Sequence, residues 1–108
     1  MQIIIDLDGT ICTETNFKNR KDSVILKDAR TVINKLYKKK HKITIYSARG
    51  WNELNSTKIW LKKNKIKYHQ LILGKPIGDV WIDDRAVKFN NWSSVRKKLE
   101  KISKKNFK

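Results

Sequence analysis

The amino-acid sequence predicts a three-layer α/β domain on a parallel sheet of about four strands. Three observations predict it. Short β-branched apolar runs alternate along the chain with segments whose apolar residues recur at helical spacing. The runs are apolar on consecutive residues, the pattern of strands covered on both faces. Their order, β-α-β-α-β-β-α, supplies the helical crossovers that parallel strands need.

The first strand covers residues 2–7, Gln-Ile-Ile-Ile-Asp-Leu, and stops at the turn Asp8-Gly9. Between Ile11 and Leu26 no period is visible, which predicts a loop with a small flap. From Lys27 to Lys40 the apolar residues Ala29, Val32, Ile33, Leu36 and Tyr37 fall on one face of a helix. Asp28 near its start and Lys38-Lys39-Lys40 at its end suit the helix dipole. Lys42–Ser47 is a second β-branched run, ended by Arg49-Gly50. The next helix, Glu53 to Asn64, buries Leu54, Thr57, Trp60 and Leu61. Gln70–Leu73 forms a third strand, Gly74-Lys75-Pro76 breaks it, and Asp79–Ile82 forms a fourth leading into Asp83-Asp84. The last helix runs from Trp92 to Ser103, capped by Asn90 or Asn91, with Trp92, Val95, Leu99 and Ile102 facing inward. Trp60 and Trp81 are assigned to the core.

The 108 residues carry 26 Lys+Arg against 10 Asp+Glu, a net charge of +16. That length holds one domain, 1–108, with residues 97–108 as a basic helix end or tail, and leaves no room for a separate capping domain. At 39% hydrophobic, the chain is apolar enough to fold despite its charge. A basic surface attracts phosphate. However, Lys, Asn and Ile, all with AT-rich codons, make up 44 of 108 residues, so codon bias competes with phosphate binding as the source of the excess. The acidic minority is more informative: Asp6, Asp8, Asp83 and Asp84 sit in two tight clusters. No apolar run approaches the roughly 18–20 residues of a membrane span. Met1 opens directly on the first strand without a basic leader, and the one cysteine, Cys12, makes no internal disulfide. The expectation is a cytoplasmic chain with no membrane partner.

In an open parallel sheet the working residues gather at the carboxyl ends of the strands. Here those ends hold Asp6-Leu7-Asp8-Gly9-Thr10, Ser47-Ala48-Arg49-Gly50, Lys75-Pro76 and Asp83-Asp84. Singly, each has an ordinary explanation: Asp-Gly is a turn, Asp-Asp a cap or solvated loop, Ser47 a strand end, Lys75 one of 21 lysines. Together, carboxylates, a hydroxyl and a lysine fall on one edge. Crowded carboxylates repel one another and call for a cation, and hard oxygen ligands suit Mg²⁺.

On these residues the chain resembles the haloacid dehalogenase superfamily of phosphohydrolases over nearly its whole length. The Asp-x-Asp-Gly-Thr motif after a hydrophobic strand is matched by Asp6–Thr10, and the hydroxyl residue closing the second strand by Ser47. The family lysine is matched by Lys75 in Gly-Lys-Pro, and the acidic pair by Asp83-Asp84 in Val-Trp-Ile-Asp-Asp-Arg-Ala. These segments are similar to those of small capless members assigned to capsule or polysaccharide biosynthesis. One departure is the step from Lys75 to Asp83, only eight residues and without a helix, where many members have a longer segment.

The resemblance implies a Rossmann-like fold without a large cap domain, and a Mg²⁺-dependent phosphomonoester hydrolase working through an aspartyl-phosphate. It makes Asp6 the nucleophile and Asp8 the general acid and base. Ser47 donates a hydrogen bond to the phosphoryl group, and Lys75 offsets charge on the nucleophile and the transferred group. Mg²⁺ falls to the Asp6 side chain, the Asp8 backbone carbonyl and Asp83, with Asp84 in support. Substrate contacts are assigned to Thr10, Arg49, Gly50 and Trp51, with Arg49 reaching a second anionic or hydroxyl-rich group and Trp51 stacking on a sugar or base.

The expected substrate is a small phosphorylated metabolite, a sugar phosphate first. An uncapped site either accepts a macromolecule or uses a neighbouring subunit of a homo-oligomer as its lid. The alternatives are a nucleic-acid 3′-phosphatase and a non-catalytic basic nucleic-acid-binding module. The last is disfavoured, because clustered carboxylates repel phosphate and no stretch interleaves aromatic with basic residues. His41 and His69 fall at strand entrances, away from the site, and Cys12 is expected as a semi-buried filler.

Overall fold

Consecutive β-branched residues build the sheet, because side chains stiff at χ1 fit its pleated surface. In the computed structural model, which describes residues 1–106 and side chains as far as Ser103, β1 (Gln2–Asp6) pairs in parallel with β2 (Lys42–Tyr46). The register sets Ile3 beside Ile43, Ile5 beside Ile45 and Asp6 beside Tyr46. β2 pairs in parallel with β3 (Gln70–Ile72), so the sheet order is β1-β2-β3 with β1 at one edge.

The crossovers are α1 (Ala29–Lys38) and α2 (Leu54–Lys63). Each moves the chain one strand over in the same direction, and right-handed crossovers of that kind place both helices on one face. On that face Ile5, Ile43 and Ile45 join Val32 and Ile33 of α1, Trp60 and Leu61 of α2, and Trp92 in a single core cluster. Trp92 opens α3 (Trp92–Asn106), which packs along α1. Asn91 caps α3 by accepting from the Ser94 backbone N–H at 2.8 Å. Lys40 and Lys65 take left-handed conformations just past α1 and α2. The following N–H groups then close onto the carbonyls of Leu36 and Leu61.

Between β1 and α1 the chain forms a short 3₁₀ helix, Phe17–Asp22. Arg20 in it pairs with the buried Glu53 ahead of α2, and the Trp60 indole donates to the Ser23 carbonyl at 3.0 Å. This is the expected small flap, tied down at two points. The expected basic tail continues α3 to Asn106, and its last two residues lie outside the described ones.

The α/β class and the parallel sheet are as predicted, with three strands rather than about four. Residues 76–86, which include the expected strand Asp79–Ile82, form no strand and are exposed throughout. Trp81, expected in the core, is 55% exposed. The third layer is also missing among the described residues. The helices cover one face of the sheet, while on the other Ile4 is 69% exposed and Thr44 and Tyr46 are half-buried. The physical reason is chain length. Only Pro76, Ile77 and Gly78 separate Lys75 from Asp79, whereas a parallel crossover takes about a dozen residues or more. No helix among the described residues is long and apolar enough to cross a membrane.

Candidate active site

β1 delivers Asp6 to the carboxyl end of the sheet, and a tight turn follows. Leu7 is fully buried, and its carbonyl accepts from the N–H groups of Thr10, Ile11 and Cys12. Gly9 makes the reversal with φ 83°, a conformation that favours glycine. The turn returns the Thr10 hydroxyl to Asp6, where it donates to Oδ2 at 3.2 Å.

Lys75 reaches the other Asp6 oxygen, with Nζ 3.3 Å from Oδ1. It arrives there because backbone hydrogen bonds continue beyond β2 and β3. The Ser47 N–H donates to the Ile72 carbonyl, Gly74 N–H to Arg49 and Lys75 N–H to Ser47, each at 2.9 Å. Gly74 has φ 74°, and the Trp51 indole lies so close that a Cβ at this position would sit 3.0 Å from its Nε1. Trp51 itself is 57% exposed, an open aromatic wall beside the site. The Lys75 ammonium also lies over the Tyr46 and Trp81 rings.

Asp8 is held differently from Asp6. Arg49 grips it with two bonds, Nε to Oδ2 at 2.9 Å and Nη2 to Oδ1 at 2.8 Å. The guanidinium is buried, and its remaining arm donates to the Thr57 hydroxyl of α2 at 3.1 Å. Burial by itself would lower the Arg49 pKa. The hydrogen bonds and charge of Asp8 outweigh that, so its pKa lies above the ordinary arginine value. The Cys12 thiol lies 3.7 Å from Asp8 Oδ1. Burial first, and the Asp8 charge second, push its pKa up to about 12, so the thiol stays protonated and unreactive.

The structure thus brings Asp6, Asp8, Thr10, Ser47, Arg49, Gly50, Trp51 and Lys75 to one end of the sheet. Ser47 is fully buried, and its Oγ accepts from the Arg49 N–H at 3.1 Å, so it underlies the site. Two expectations change. Arg49 does not face outward toward a second substrate group, because the half-buried Asp8 carboxylate and the buried Thr57 hydroxyl claim its donors. Asp83 and Asp84 do not join Asp6: they lie on the exposed segment, where Asp83 Oδ1 accepts from the Arg85 N–H at 2.7 Å. Thr57 carried a signal in the sequence, as a hydroxyl on the buried stripe of α2 needs a polar partner. The Arg20–Glu53 pair carried none.

The donor set that the family resemblance implies for Mg²⁺ does not fit within a single chain. Asp6 and the Asp8 backbone stand at the site, with Asp6 paired to Lys75, but Asp83 and Asp84 lie on the exposed segment away from them. Among the described residues no three acidic, histidine or cysteine side chains converge to hold a metal ion.

Comparison with solved structures gives the fold. The chain is similar to a crystal structure of an MCSG target from Vibrio cholerae, with a TM-score of 0.71 and 24% identity over 94% of this chain and 99% of that one. It is also similar to one chain in a structure of the Pnkp1/Rnl/Hen1 complex, with a TM-score of 0.61 and 21% identity. That match covers 98% of this chain but 35% of the other. A structure of the Pnkp1/Rnl/Hen1 RNA repair complex matches similarly, with a TM-score of 0.59 and 18% identity, over 99% of this chain and 32% of that one. No curated protein sequence matches. A family model described as haloacid dehalogenase-like hydrolase covers residues 3–72, from β1 through β3, and by that match the chain belongs to the haloacid dehalogenase-like hydrolases.

Proposed function

We propose that this hydrolase cleaves phosphomonoesters through an aspartyl-phosphate on Asp6, acting on a small phosphorylated metabolite such as a sugar phosphate. The observation that carries the reading is the unequal treatment of two aspartates two residues apart. Asp6 stands at the open mouth, 35% exposed, with one lysine and one hydroxyl beside it. Asp8 is 18% exposed and fixed by a buried guanidinium. A nucleophile needs access, and a proton carrier needs orientation.

In the first step an Asp6 oxygen attacks phosphorus, the bond from phosphorus to the leaving oxygen breaks, and Asp8 supplies the proton that oxygen takes. To reach the leaving oxygen, Asp8 exchanges one of its two Arg49 bonds for it. In the second step water attacks phosphorus, Asp8 takes its proton, and the bond to Asp6 breaks to release phosphate. Lys75 offsets charge on Asp6 and the transferred group, and Trp51 offers an apolar face to the rest of the substrate. Magnesium dependence belongs to the proposal, although one chain does not assemble its ligands.

A second reading, a 3′-phosphatase on nucleic acid ends, is favoured by the open site on a chain of net charge +16. The test is phosphate release from p-nitrophenyl phosphate, sugar phosphates, nucleotides and a 3′-phosphorylated oligonucleotide, each with and without Mg²⁺, with Asp6→Asn as control. Turnover of a small ester that Asp6→Asn abolishes is the expected result. Preference for the oligonucleotide, falling steeply with salt, would favour the second reading. No turnover on any substrate would refute both.

A further inference from the structure

We infer that this chain works as a reciprocal dimer in which residues 76–86 cross to a second copy. There Asp79–Ile82 joins the partner's β1 as a fourth parallel strand and sets Asp83 and Asp84 beside the partner's Asp6. The inference rests on the phosphohydrolase reading only for what those carboxylates do; the exchange itself rests on the fold.

Four observations carry it. First, the segment has the composition of a buried strand and none of the burial. Ile77, Val80 and Ile82 are 88%, 75% and 96% exposed, with Trp81 between them, a concentration of apolar surface that a solitary molecule rarely displays. Second, a matching vacancy exists. β1 is an edge strand with one side of its backbone open, and its Ile4 lies 69% exposed on the face without helices. Third, both ends of the segment are anchored to their own body. Lys75 is bonded to Ser47, while Trp92 is buried and its indole donates to the Thr10 carbonyl at 2.7 Å. Only the stretch between can move out.

Fourth, the segment cannot close on its own β1. With Asp83 level with Asp6, Asp79 lies level with Gln2. Lys75 sits at the far end of the sheet, beside Ser47 on the β3 side. The separation is about five residues along the strands and three strand spacings across, roughly 16 Å by 14 Å, or about 22 Å in a straight line. Four residue steps, Lys75 to Asp79, reach at most about 14 Å. A second copy related by a two-fold axis has no such limit, because its β1 edge can be brought to the segment. The same axis returns the partner's segment to this chain, so both edges close at once.

The exchange also resolves the metal donor set. Asp6 of one chain together with Asp83 and Asp84 of the partner subunit form the carboxylate group that neither chain assembles alone, with oxygen ligands suited to Mg²⁺.

The experiment combines solution mass, metal binding and complementation on the full chain. Sedimentation should give twice the chain mass of 12.8 kDa. Val80→Pro removes a ladder N–H at an exposed position, so it should give a folded monomer by circular dichroism, and calorimetry should show Mg²⁺ binding weakened about tenfold or more. Asp6→Asn and Asp83→Asn, each inactive, should recover activity when their subunits are mixed. Half the dimers are then mixed and carry one intact site of two, so about a quarter of the wild-type rate is expected. A monomeric wild type, a dimeric Val80→Pro, or undiminished Mg²⁺ binding by a monomeric Val80→Pro would overturn the proposal. An active wild type whose variants never complement would overturn the exchange and leave the phosphatase reading standing. A dimer that Val80→Pro dissociates, inactive on every ester, would sink the phosphatase reading and leave the exchange standing.

Discussion

Removing the Arg49 guanidinium should cost this protein more stability than any other single charge deletion near the site. Arg49→Met keeps much of the volume and takes away every donor. The loss can be worked from the contacts. Arg49 is 2% exposed and Asp8 18%, so the pair is shielded from solvent and is worth more than a surface ion pair. Breaking a buried pair by deleting one partner costs about 3–5 kcal/mol, because the remaining charge is left without compensation. Asp8 keeps some access to water, which argues for the lower end, near 3 kcal/mol. With an unfolding entropy of about 2.1 cal/mol/K per residue over 108 residues, that is a fall in Tm of about 13 °C. Urea unfolding of wild type, Arg49→Met, Asp8→Asn and the double variant measures it as a cycle. The double variant should be more stable than the sum of the single losses by about 1–2 kcal/mol, since Asp8→Asn leaves no stranded charge. An Arg49→Met protein within about 1 kcal/mol of wild type, or a cycle without coupling, would refute the argument that this ion pair organises the site.

Three further outcomes are expected. Lys75→Met should lower phosphate release by about 10²–10³-fold while scarcely moving the urea midpoint, because its charge acts on Asp6 at the open mouth; equal losses of activity and stability would contradict this. Gly74→Ala should destabilise by about 1–2 kcal/mol for its left-handed backbone, with further loss if Trp51 cannot withdraw from the added methyl, measured by urea unfolding. Cys12 should resist alkylation at pH 8 in the folded protein. Its pKa in the folded state is raised from the ordinary 9.0 to about 12. Its contribution to stability is therefore complete below about pH 9 and lost by about pH 12, as the unfolded thiol ionises first. Cys12→Ala should flatten the alkaline stability profile over that window, and an unchanged profile would count against the burial argument.

Much of the fold was legible because its signals are local. The 3.6-residue spacing of Ala29, Val32, Ile33, Leu36 and Tyr37 needs only neighbours on one helix, and α1 lies within the span it marks. The β-branched runs of β1 and β2 ended within a residue of where composition placed them. The same reasoning misjudged Asp79–Ile82. Its composition is that of a strand, yet strand propensity says nothing about which edge a segment can reach. The eight-residue step from Lys75 to Asp83 was visible in the sequence, and its meaning depended on where Lys75 is anchored. At the site, Asp6, Asp8 and Lys75 were legible from position at strand ends. The partner of Arg49 was not, because it lies 41 residues away along the chain and the guanidinium could as easily have turned outward.

The sequence by itself determined the alternation of strands and helices, the turn at Gly9 and the gathering of charged residues at strand ends. These follow from side-chain shape, backbone freedom and the period of burial, all of which act over a few residues. Tertiary structure alone decided that Arg49 turns inward to Asp8, that Lys75 reaches Asp6, and that the helices leave one sheet face and the β1 edge uncovered. Those outcomes depend on distances between residues far apart in the chain, where burial and charge choose partners that spacing cannot name.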